Sequence, residues 1–182
     1  MRQSTRFISA IALMGLAAGC ATAPKTTQER DNLSSDAEAE LRHFYNEDTA
    51  LPEFIKSSAG YAVFPSIGKG GLVVGGSYGR GIVYQAGKAI GFADLGKASV
   101  GAIAGGQTFS EVIVFQNNAA LENFKAGQYA FAADASAVAL KKGAAATAKY
   151  SNGVAVFVDS KGGLAIDASV GGQKFDYEPM SK

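Results

Sequence analysis

Apolar positions along this chain change period twice. Residues 7 to 18 are almost wholly apolar, follow Arg2 and Arg6, and run into small residues. Residues 21 to 33 are polar and without period. Leu33, Ala37, Leu41, Phe44 and Tyr45 then recur on one helical face, and Ser35 followed by Glu38 has capping-box spacing, which predicts a helix opening at Ser35. Pro52 predicts a second, short helix carrying Phe54 and Ile55. From Gly60 the pattern is that of strands. Tyr61 to Phe64, closed by Pro65, then Gly71 to Val74, Gly81 to Tyr84 and Lys88 to Phe92 read as short strands joined by tight glycine turns. Glu111 to Phe115 is a further strand, and Asn117 or Asn118 caps a helix with Leu121 and Phe124 on its inner face. Tyr129 to Leu140 reads as a strand and Gly143 to Ala148 as an alanine-rich loop. Val154 to Val158 and Leu164 to Val170 read as a hairpin around Lys161. The prediction is an α+β fold: N-terminal helices packed on a twisted, glycine-rich, mostly antiparallel β-sheet.

Composition sharpens this picture. Of the 23 glycines, fourteen lie between Gly60 and Gly106 among valines, isoleucines and aromatic residues, as in bulged or tightly turned strands. The net charge is +1, with no basic cluster, which argues against nucleic acid as a partner. The N-terminal layout is that of a secretory signal peptide, its apolar run too short to span a bilayer. Removing residues 1 to 19 brings the net charge to −1 and leaves one domain's worth of chain. Cys20 is the only cysteine, so an exported form can make no internal disulfide.

Catalytic motifs fail on physical grounds. Gly75 to Gly79 has the Gly-x-Ser-x-Gly spacing of a nucleophile elbow around Ser77. A strand pattern follows it instead of a helix, and the only histidine, His43, comes earlier. Gly91 to Lys97 has phosphate-loop spacing, but Ala98 stands where a magnesium-binding hydroxyl is needed. One histidine, set among Glu40, Glu47 and Asp48, together with a single cysteine that is either a free thiol or modified, predicts no metal site, no cofactor and no enzyme.

Two resemblances carry the functional expectation. Residues 1 to 20 resemble a bacterial lipoprotein signal. That implies cleavage before Cys20, lipid attachment to Cys20 and, with Ala21 following, residence at the periplasmic face of the outer membrane. Residues 20–33 would then be a lipidated tether and residues 34–182 the domain.

The second resemblance begins at Gly60 and is to the SYLF domain family, also called Ysc84 or DUF500. It is carried by Ser57 to Phe64 with Ile67 to Gly71, by Gly75 to Gly81, and by Gly101 to Gln107 with Glu111 to Phe115. Residues 119 to 124 and 150 to 171 complete it. The chain lacks the tryptophan segment and SH3 domain of many eukaryotic members. The resemblance implies a non-enzymatic module that binds membrane phospholipid, phosphatidylinositol-type in eukaryotic relatives. Lys69 and Arg80, in its lysine–glycine and second glycine-rich turns, are the candidate headgroup contacts. The alternative is an envelope protein-interaction module with lipid as a tether only.

Overall fold

In the computed structural model the described residues are 24, 26–70, 74–100, 107–128, 137–161 and 172–180. Cys20 and residues 1–19, read from the sequence as a signal peptide, lie outside them. Helix α1 runs Thr27–Glu47, and Thr26 caps it by accepting the Glu29 amide at 3.1 Å. Helix α2 is Leu51–Lys56, with Pro52 in its first turn. The strands are β1 Gly60–Gly70, β2 Val74–Gln85, β3 Lys88–Val100 and β4 Gln107–Phe115. Helix α3 is Asn118–Lys125, followed by β5 Val138–Ala139, helix α4 Ala144–Thr147, β6 Val154–Lys161 and β7 Lys174–Pro179.

The strands form one sheet in the order β5-β6-β4-β1-β2-β3-β7, antiparallel throughout except for the short β5–β6 pair. Alternation, reset in β1 by a shift of register between Phe64 and Ile67, sends Phe64, Ile67, Val83, Leu95, Phe109, Ile113 and Phe175 to one face, where α3 packs through Leu121 and Phe124. Val63, Ile82, Phe92, Val112, Val114 and Phe157 go to the other, covered by Ala37 and Phe44 of α1 and by Leu51 and Ile55 of α2. The apolar stripe of α1 therefore packs on the sheet, as an amphipathic stripe demands.

Helix α1 lies across the strands rather than along them. The Arg30 guanidinium sits 5.6 Å from the ring centre of Phe92 on β3, and His43 meets Asp159 on β6. The thirteen-residue step between them rises about 20 Å. Four strand spacings from β3 to β6 span about 19 Å. The two lengths match, so α1 spans five strands.

Several sequence expectations need correction. Helix α1 begins at Thr27, so residues 27–33, read as tether, are helical; Thr26 and Glu29 carry the same capping-box spacing as Ser35 and Glu38 and lie further upstream. Strand β1 does not stop at Pro65. Its register shifts there against both neighbours, a bulge that accommodates the missing N–H. The glycine-rich stretch from Gly75 to Gly81 is strand β2 and not a turn. A Cβ on Gly81 would stand 2.6 Å from the Val63 carbonyl, and one on Gly79 would meet Ile67 equally closely. These glycines let strands approach each other rather than reverse. Residues 143 to 148 contain α4, and β7 was not anticipated. Within the expected strand from Tyr129 to Leu140, only Val138–Ala139 is a strand among the described residues; the expected strand Leu164 to Val170 lies outside them.

Candidate functional site

Strand register brings four lysines to one end of the sheet. Lys69 on β1 pairs with Gln107 on β4 and with Ser77 on β2, and Ser77 pairs with Lys97 on β3. At the same end Lys161 on β6 pairs with Thr108, and Lys174 on β7 pairs with Gly96. The turns that gave Lys69 and Arg80 their expected roles are therefore strand positions. The segments joining these strand ends, residues 71–73, 101–106 and 162–171, lie outside the described residues; their sequences are glycine-rich and apolar, with Asp167 as the single charge.

Beneath this end, on the α3 face, lies a buried carboxyl. Glu111 is fully buried, and its Oε2 accepts the Gln173 side-chain amide at 3.0 Å. Burial pushes the Glu111 carboxyl up to about 8, opposed by the Gln173 hydrogen bond and by the charge of Lys97. Ser77 is also buried, in mid-strand, with a lysine position to either side. His43 lies on the α1 face and pairs with Asp159, so the two residues never meet.

Arg80 occupies the opposite face of β2. Its Nε donates to the Tyr78 hydroxyl at 2.9 Å, and that hydrogen bond is the main cause raising its pKa. Across the ladder Asp94 stands 3.6 Å away; burial lifts its carboxyl to about 6 despite the guanidinium. Arg80 thus already has two protein partners. Tyr78 itself is 52% exposed, the one large hydrophobic side chain left open among the described residues. Tyrosine and arginine together place an apolar body and a polar tip at one surface.

Sequence reasoning missed Lys97, Glu111 and Asp48. The carboxylate of Asp48 accepts backbone amides from Ala50 at 3.0 Å, Gly143 at 3.1 Å and Ala145 at 2.6 Å, which fixes α4 against the α1–α2 turn. Partners almost a hundred residues away leave no local signal. A cleft of about 290 Å³ opens between α2 and the β2–β3 turn, lined by Tyr45, Ile55, Tyr61 and Gly87 among others. Another, of about 400 Å³, lies beside β5 and includes Val138, Val156, Lys141 and Lys149. No described helix is long and apolar enough to cross a membrane.

Residues 96–178 match the Ysc84 family, described as Las17-binding protein actin regulator. Over 155 residues the chain is 30% identical to Beta cell expansion factor A of Aeromonas veronii, an alignment covering 84% of this chain and 59% of that protein. The chain thus spans rather less than two thirds of that curated relative's length.

Proposed function

The chain is a member of the Ysc84 (SYLF) family, and on that premise we propose that it binds phospholipid without catalysis while anchored through lipid on Cys20 in a bacterial envelope. Family membership supports a module that binds lipid or protein; the choice of phospholipid rests on the end of the sheet. There, strand-end positions Lys69, Lys97, Lys161 and Lys174 flank three segments whose sequence is apolar and glycine-rich. Apolar chain bordered by lysines suits the boundary between acyl chains and anionic headgroups, where each cation contributes about 1 kcal/mol. Tyr78 and Arg80 add an amphipathic pair to the same strand as Ser77.

The test is co-sedimentation of the full chain, with Cys20→Ser removing the covalent anchor, on phosphatidylglycerol–phosphatidylcholine vesicles at low salt. Binding is expected above an unrelated control protein, and it should weaken as salt is added. Lys97→Gln with Lys174→Gln should lower the apparent affinity by roughly thirty-fold, two losses of about 1 kcal/mol each. No sedimentation above control overturns the reading. The family description names a protein partner, which favours a second reading as a protein-interaction module. Its signature is the absence of vesicle binding together with a reproducible crosslink to one envelope protein. Lipidation is checked separately, by the mass of the mature amino-terminal peptide, which must carry acyl groups on Cys20.

A further inference from the structure

One side-chain cluster lies apart from the basic end and answers to no part of that reading. Glu40 and His43 are three residues apart on α1, so they project from the same face of the helix. Directly beneath them, Ser110 on β4 and Asp159 on β6 are register partners. His43 Nε2 stands 3.1 Å from Asp159 Oδ2, and the fully buried Ser110 hydroxyl donates to Glu40 Oε1 at 2.6 Å. Ligand atoms of Glu40, His43 and Asp159 all lie within 4.8 Å of one another.

We propose that Glu40, His43 and Asp159 form a binding site for a divalent transition-metal ion of the zinc class. The sequence alone argued against any metal, because one histidine and one cysteine make a poor ligand set; the fold supplies the third ligand from 116 residues away. One imidazole nitrogen and two carboxylate oxygens suit zinc, iron or manganese. Calcium and magnesium demand six or more oxygen ligands, which this cluster does not offer. Around a tetrahedral ion with bonds of about 2.0–2.1 Å, ligand atoms stand about 3.3 Å apart. The His43–Asp159 separation is already close to that edge, so Glu40 makes most of the adjustment. Ser110 orients the Glu40 carboxylate, the part that partners outside the coordination sphere play at metal sites. His43 and Asp159 side chains are 42% and 27% exposed, which gives an ion a path in and leaves a fourth position for water. An ion here would tie α1 to β6.

The test uses the tag-free full chain carrying Cys20→Ser, titrated with zinc by calorimetry and with cobalt by visible absorption. One ion per chain at micromolar affinity or tighter is expected, with the intense visible bands of tetrahedral cobalt. His43→Ala and Asp159→Asn should each weaken binding at least ten-fold, while Glu38→Gln, one turn away, should leave it unchanged. Circular dichroism establishes that the variants are folded, and Asp159→Asn keeps the shape of the side chain if His43→Ala does not fold. Absence of stoichiometric binding overturns the proposal. So does wild-type affinity in Asp159→Asn, or in a folded His43→Ala, and so does a loss of equal size in Glu38→Gln.

Discussion

Glycines that look alike in the sequence do different work in the sheet. At Gly81 an added Cβ would press on the Val63 carbonyl at 2.6 Å and on the Phe64 ring at 2.7 Å, so Gly81→Ala should destabilise by about 1–3 kcal/mol. At Gly68 and Gly96 an added Cβ meets nothing within 4 Å. Alanine there should be neutral or stabilise by up to about 1 kcal/mol, through a less disordered unfolded chain. Urea midpoints at constant slope separate the two classes. Glu111 carries a pH dependence of definite sign. Its carboxyl titrates near 4.5 when solvated and near 8 when folded, so between those values the folded chain holds the extra proton. Stability must therefore fall as pH rises from 4.5 towards 8, at up to about 1.4 kcal/mol per pH unit from this group. Asp94 adds the same sign only below about 6. Glu111→Gln should flatten the dependence between pH 6 and 8, read from denaturant midpoints across that range; an unchanged slope would clear Glu111 of the effect. Neither the crowding at Gly81 nor the burial of Glu111 is legible locally. Both depend on which strands become neighbours.

Elements whose signals are local were the readable ones. Pro52 in the first turn of α2 and the Asn117 cap of α3, which accepts the Ala120 amide at 3.0 Å, lie within or beside the stretches they organise. The α1 stripe reads correctly because its period is intrinsic, while its start is misread because Thr26 and Ser35 offer equivalent caps. Strand β2 is misread because glycine clusters signal turns in most settings, and only contact with Ile67 and Val63 explains them here. Helix α4 is unreadable for another reason: four residues of it are held by a carboxylate from the far end of α1. Asp48→Ala should leave the buried amide of Ala145, and the amide of Gly143, without their acceptor and cost about 1–3 kcal/mol. Faster amide exchange at residues 143–148 would accompany that loss. Unchanged exchange there would mean that α4 stands without Asp48.

At the scale of the molecule, period alone carried the α+β class and the mostly antiparallel sheet, since alternation against two helical stripes leaves few other architectures. Strand order was beyond it. The order brings β4 between β1 and β6, and with it Ser110 beside Asp159 and Lys97 two strands from Lys69. Both candidate sites are products of that order, which is why only Lys69 and Arg80, flagged by resemblance, could be named from the chain itself.

The crosswise placement of α1 also has a mechanical meaning. A load drawn through the amino terminus would reach the helix first at Arg30 over Phe92, its end on β3. A rod lying flat across five strands is peeled from one end, contact by contact, instead of being sheared along its whole length. The strands run at right angles to the rod, and the ladder bonds that join them lie parallel to it. Under tension the helix would lift from β3 towards β6 and bare the sheet around Phe92 and Ile82 before the sheet itself gave way. The grip of Glu40 and His43 on Ser110 and Asp159 would be among the last to fail.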